Sequence, residues 1–141
     1  MLDLFNRKVV GRSISDTLAA SIVTDALKMA FDREGNHAGI VFHLNCGIQY
    51  TSDKFRNLLE GKKALPSMSR QGKLRRQRVC WDFLFKALKS KLIYREKFKT
   101  KEELRSAIFE YIETWYNRKC LHSSLGYLSP LEYESRINQA V

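Results

Sequence analysis

Proline is nearly missing from these 141 residues, with only Pro66 and Pro130 present. No glycine- or proline-rich tract, internal repeat or low-complexity run marks an interdomain linker, so the length fits one domain or part of one. Long apolar runs are lacking too. No stretch approaches the ~20 residues a membrane span needs. Met1-Leu2-Asp3-Leu4-Phe5-Asn6-Arg7-Lys8 has an acid where a signal peptide carries its basic start. The expectation is a cytoplasmic protein with no membrane partner. Cysteine is scarce: Cys46, Cys80 and Cys120 lie 34 and 40 residues apart. An odd number without close pairs excludes a disulfide framework. A zinc site would have to join Cys46 with His43 or His37, or Cys120 with His122. No second Cys-x-x-Cys or His-x₃-His half accompanies either pair.

What is present is apolar material and positive charge. Hydrophobic residues make up 44% of the chain, enough for a core, and the formal net charge is +10. The charge is uneven. Between residues 70 and 97 ten Lys and Arg face two acids, Asp82 and Glu96, which leaves a net charge of only +2 elsewhere. Such a field attracts polyanions and releases their counterions. A solvated basic face is the bland alternative. An anionic membrane fits less well, because Lys73-Leu74-Arg75-Arg76-Gln77-Arg78 offers no apolar face.

Periodicity predicts alternating strands and helices, hence an α/β protein. Residues 2–5 read as the end of a strand, Asn6-Arg7 as a tight turn and 9–14 as a second strand. Ser15 or Asp16 is a candidate cap for a helix with Ala19, Ile22, Val23, Ala26, Leu27 and Ala30 on one face, broken at Gly35-Asn36. A β-branched run at 39–43 reads as a buried strand, followed by a polar loop, a short helix at 53–59 and a brief strand near 64–66. Cys80, Leu84, Ala87, Leu88 and the stem of Lys91 share a helical face. Thr100 and Glu103 form a capping box for a helix with Leu104, Ile108, Tyr111, Ile112 and Trp115 inside.

Two stretches carry more than generic α/β character. The first is His43-Leu44-Asn45-Cys46-Gly47-Ile48-Gln49-Tyr50-Thr51-Ser52. The second runs Trp115-Tyr116-Asn117-Arg118-Lys119-Cys120-Leu121-His122-Ser123-Ser124-Leu125-Gly126-Tyr127-Leu128-Ser129-Pro130 and ends in Glu132-Tyr133-Glu134. They resemble the H-S-D-x-G-x-Q-Y-T-S and Y-N-x-x-R-x-H-x-x-L-G-Y-x-S-P signatures of bacterial insertion-sequence transposases with a retroviral-integrase-type catalytic core. Asp3-Leu4-Phe5-Asn6-Arg7-Lys8-Val9-Val10-Gly11 resembles that family's D-L-F-S-R-K-V-V-G hairpin, and Ser67-Met68-Ser69-Arg70-Gln71-Gly72 its S-M-S-R-x-G. The matches come in family order and span nearly the whole chain, a stronger signal than any one of them.

The resemblance implies a ribonuclease-H-like fold, a mixed sheet flanked by helices, with residues 1–141 a partial catalytic core lacking the first strand. It implies DNA cutting and strand transfer with Mg²⁺, three carboxylates holding two ions. The partners it implies are DNA, a second copy or a full-length transposase, with no small-molecule substrate. It also sets out the departures. The family's first Asp lies on the opening strand, and Asp3 does not match it. Asn45 stands at the second Asp, and a neutral amide removes one negative charge from a site meant for two dications. Asp82 falls near the Glu. Asn45 and Asp82 are thus the candidate catalytic and metal-binding residues of an incomplete site, while Lys73, Arg75, Arg76, Arg78, Lys86 and Lys89 are the candidate nucleic-acid contacts.

Residues 73–85 depart from the family's N-C-x-D-N-A-x-A-E-x-F-F pattern by one extra residue, and the pattern resumes at Lys86-Ala87-Leu88-Lys89. Permitted codons for the block, read one nucleotide on, spell Asn-Cys-Asp-Asp-Asn-Ala after Gly72. This fits a frameshift restored downstream, which leaves two readings of the basic cluster, a by-product of reading frame or an evolved DNA clamp; its field is real either way. The expected function is therefore transposition in the parent family with this chain catalytically inactive, or else DNA or transposase binding without catalysis, or a weak enzyme. Gln49 and Tyr50 either touch DNA or order their loop; His43 ends a strand; His122 and Ser123 cap the C-terminal turn; and Pro130 opens the last helix.

Overall fold

Helix and strand alternate through the first half of the chain, and helices fill the second. The computed structural model describes residues 1–17, 19–35, 38–44, 50, 52–68 and 75–140, with the main-chain path alone at 20, 68 and 75–81. Two units pack separately, Met1 with Val10–Arg75 and Leu2–Val9 with Arg76–Val141. Among the described residues, no helix is long and apolar enough to cross a membrane.

In the first unit, α1 (Ala20–Glu34) buries Val23, Ala26, Leu27, Ala30 and Phe31 on one face. It starts later than a cap at Ser15 or Asp16 would place it. Its N-cap is Ala19, without a side-chain hydrogen bond, and the Ser15 hydroxyl instead accepts from the Thr17 amide at 3.3 Å. Gly35, at φ 80°, ends the helix in a conformation that glycine adopts freely. Two parallel strands follow, β1 (Val41–Leu44) and β2 (Leu65–Met68), with Val41 opposite Leu65 and Leu44 opposite Met68. Between them, α2 (Asp53–Gly61) is capped by Ser52, whose hydroxyl accepts from the Phe55 amide at 3.4 Å. Leu27, Phe31, Leu44, Phe55, Leu59 and Ala64 close this unit's core.

In the second unit, residues 2–9 form a hairpin with one antiparallel bridge, Leu2 to Val9. The expected strands at 2–5 and 9–14 are thus reduced to that bridge, and the regular pairing among the described residues is parallel rather than mixed. Asn117 takes up the outward main-chain groups of Val9. Its side-chain oxygen accepts from the Val9 amide at 2.9 Å and its NH₂ donates to the Val9 carbonyl at 3.2 Å, so an amide stands where a neighbouring strand would bind.

Helix α3 (Arg75–Leu88) runs on through a π-helical turn, Lys89–Ile93. Helix α4 (Lys101–Glu110) starts with the predicted capping box. The Glu103 amide donates to the Thr100 hydroxyl at 3.1 Å, and the Glu103 carboxylate accepts from the Thr100 amide. It continues through a second π turn, Tyr111–Tyr116, into α5 (Asn117–Lys119). With more than four residues per turn, that segment puts Tyr111, Ile112 and Tyr116 into one core with Leu84, Leu88 and Leu92. Lys91 Nζ lies 3.8 Å from the Trp115 ring centroid, so the two π turns meet through a cation–π contact. Pro130 is the first residue of α6 (Pro130–Ala140), where its missing N–H costs nothing.

Candidate nucleic-acid interface

Amphipathic spacing decides which residues α3 exposes. Leu84 and Leu88 face the core, with Leu92 continuing that line into the π turn. Asp82, Lys86 and Lys89, four and three residues apart, are exposed on the opposite stripe. At 100° per residue the main-chain positions of Arg75 and Arg78 fall on the same stripe, and Arg76 does not. Lys73 lies outside the described residues. The sequence-predicted cation set therefore divides, with Lys86 and Lys89 placed together on an outward face and Asp82 beside them.

Asn45 directly follows β1 and lies outside the described residues, as does Gln49. Of the two expected metal ligands, Asp82 alone has a described position, and it is exposed among cations rather than gathered with acids. Among the described residues no three His, Cys, Asp or Glu converge as a metal site. The donor chemistry does not fit a pair of dications either: Asn45 is neutral, and Asp82 shares its helical face with Lys86 and Lys89. His43 is exposed on β1 opposite Ser67. Tyr50 packs edge-on against Phe55, with centroids 5.5 Å apart, and burial raises its pKa.

The long C-terminal signature turns out to build structure, a role sequence reasoning missed. Besides the Asn117 clamp on Val9, Glu134 accepts from Lys8 Nζ at 3.0 and 3.1 Å, and Phe5 meets Tyr133 edge-on at 5.7 Å. Two motifs more than a hundred residues apart are one assembly. Their common departure from generic α/β composition was the available signal. Nor do His122 and Ser123 cap with their side chains. The His122 main chain closes the turn, donating to the Leu128 carbonyl at 3.1 Å and accepting from the Tyr127 amide at 2.9 Å. The His122 ring sits between Phe83 and Tyr116, and its buried Nε2 has no hydrogen-bond partner among the described residues. Burial first, and then the charge of Arg7, hold its pKa below the usual value.

Comparison with known proteins gives two family matches, both to the integrase core domain, over residues 1–73 and 82–137. The interval between them, 74–81, falls inside the block that departs from the family pattern. The transposase for insertion sequence element IS904 of Lactococcus lactis is 38% identical over 133 residues, covering 94% of this chain and 52% of that protein. Transposase InsF for insertion sequence IS3A of Escherichia coli is 35% identical over 136 residues, covering 96% of this chain and 47% of that protein. The chain thus spans about half the length of the curated relatives it matches.

Proposed function

The chain belongs to the integrase core domain family, and on that premise we propose that it serves insertion-sequence transposition by holding DNA, without a competent two-metal centre of its own. The fold class supports a ribonuclease-H-like reading in which β1 and β2 are two strands of a wider sheet. We read residues 1–141 as one partial core domain, with β1 and β2 the strands of that sheet among its described residues.

One observation carries the DNA reading: the outward stripe of α3 with Lys86 and Lys89 exposed on it. A helix face of this kind contacts phosphates without reading bases, so binding is sequence-independent. The case against cutting rests on Asn45 and on the cations around Asp82, and does not depend on where the chain begins. Even the hydrogen-bond partners of metal ligands cost roughly 10–100-fold in affinity or activity when removed. Replacing a ligand carboxylate with a neutral amide costs more.

The test uses the full chain, a labelled duplex carrying insertion-sequence ends, and a duplex of unrelated sequence. The expected result is equal, salt-sensitive binding of both duplexes and no nicking with Mg²⁺ or Mn²⁺. Metal-dependent nicking that disappears in Asp82→Ala would overturn the non-catalytic reading, and absence of binding at low salt would overturn the DNA reading.

A further inference from the structure

The basic helix does not account for a second pair of cations, Arg118 on α5 and Arg136 on α6 of the same unit. An open groove of about 400 Å³ lies against α6 and the α5 segment, lined among others by Arg118, Leu128, Glu132, Arg136 and Gln139. Arg118 and Arg136 are exposed, and among the described residues neither guanidinium belongs to an ion pair. The groove's acid is Glu132, and it is already engaged. Its Oε2 accepts from the Ser129 amide and the Ser129 hydroxyl, both at 2.8 Å, which caps α6 and holds its carboxyl below the usual pKa. Arg136 adds to that depression from a distance. The start of α6 is therefore satisfied from within, and what the groove offers a ligand is two guanidiniums and the Gln139 amide.

We propose that this groove is a second docking surface for a nucleic-acid phosphodiester backbone, separate in sequence from the α3 stripe. Guanidinium is planar and forked, and matches phosphate oxygens two at a time, while a neutral amide beside it is typical of contacts that position a backbone without reading bases. An open trough admits a continuous polymer. Its apolar lining residues, Leu128 and Leu131, are both half-buried, so none of the residues lining it is an exposed apolar wedge to enter a membrane. The inference rests on the reading that this chain holds DNA, and adds where a second stretch of backbone lies.

The experiment compares the full chain with the double variant Arg118→Gln, Arg136→Gln and with its charge-keeping counterpart Arg118→Lys, Arg136→Lys, measuring anisotropy of a fluorescent duplex across a salt series. A second double variant, Lys54→Gln with Arg105→Gln, removes two exposed cations elsewhere. At a slope of about −0.9 per phosphate, losing two contacts makes log K against log salt shallower by about 1.8. We expect that change in the Gln pair and little change in the Lys pair or the control. An unchanged slope in the Gln pair, or an equal change in the control, overturns this groove while the α3 reading stands. Absence of duplex binding by the unaltered chain overturns both. Inorganic phosphate that saturates the groove and leaves duplex affinity untouched shows a small-anion site only, and also overturns the proposal.

Discussion

A Cβ added at Gly11 would sit 2.1 Å from the carbonyl oxygen of Ala26 in α1, a main-chain atom that cannot swing aside. That close approach explains why the hairpin motif ends in glycine. Gly11→Ala should lower stability by about 1–3 kcal/mol, as overpacking does. Gly61→Ala, where nothing lies within 4 Å of the new Cβ, should be neutral or gain up to about 1 kcal/mol. Urea unfolding of both variants checks the contrast, and equal midpoints would refute it. His122 gives a pH dependence of known sign. The unfolded chain takes up its proton near pH 6.5, while burial keeps the folded imidazole neutral to lower pH. Its contribution to stability is therefore complete above pH 6.5 and drains as pH falls through the lower folded value. His122→Phe, which keeps a ring between Phe83 and Tyr116, should flatten the fall in urea midpoint from pH 7.5 to 5.5. A wild-type slope in that variant would exclude His122 as the cause.

Elements were legible wherever one local cause sufficed. The capping box at Thr100, the apolar face of α1 and the start of α6 at Pro130 each follow from residues within a turn or two of one another. The hold of Asn117 on Val9 was not legible, because tertiary packing brings together residues 108 apart in sequence. The π turns were hidden for a related reason. Spacing of 3.6 predicted Leu104, Ile108, Tyr111, Ile112 and Trp115 inside; Tyr111 and Ile112 are buried, whereas Leu104, Ile108 and Trp115 are half-buried and the wider turn adds Tyr116 to the core. In the candidate site, sequence placed Lys86 and Lys89 on a common helix but could not tell whether Asp82 served metal or merely interrupted a basic stripe. These roles predict opposite results. If the stripe holds DNA, Asp82→Asn removes a repulsive charge and tightens binding, and Lys86→Glu with Lys89→Glu makes the salt slope shallower by about 1.8. Titration of a duplex with both variants decides it; weaker binding by Asp82→Asn would point back to metal.

For the molecule as a whole, the distribution of apolar surface matters as much as that of charge. Parallel strands are normally covered on both faces, yet Val41 and Leu65, partners in the register of β1 and β2, are 50% and 56% exposed. Among the described residues these two strands pair with each other alone. Exposed apolar side chains side by side offer another chain a surface to pack against. The net charge of +10 opposes association at low salt, when like-charged copies repel over long distances. Added salt screens that repulsion, shrinking the Debye length to about 8 Å at 0.15 M, while leaving the apolar contact intact. The isolated chain should therefore be most nearly monomeric in dilute buffer and associate as salt and concentration rise, the reverse of what electrostatic pairing between copies would give. Val41→Thr with Leu65→Thr, which places a β-branched, strand-compatible side chain at both positions but makes the pair polar, should move the onset of association to higher concentration. Sedimentation velocity across salt and concentration provides the measurement. A monodisperse monomer at high micromolar concentration in 0.5 M salt would rule out this face as an association surface, and so would a Thr pair that associates as readily as the parent.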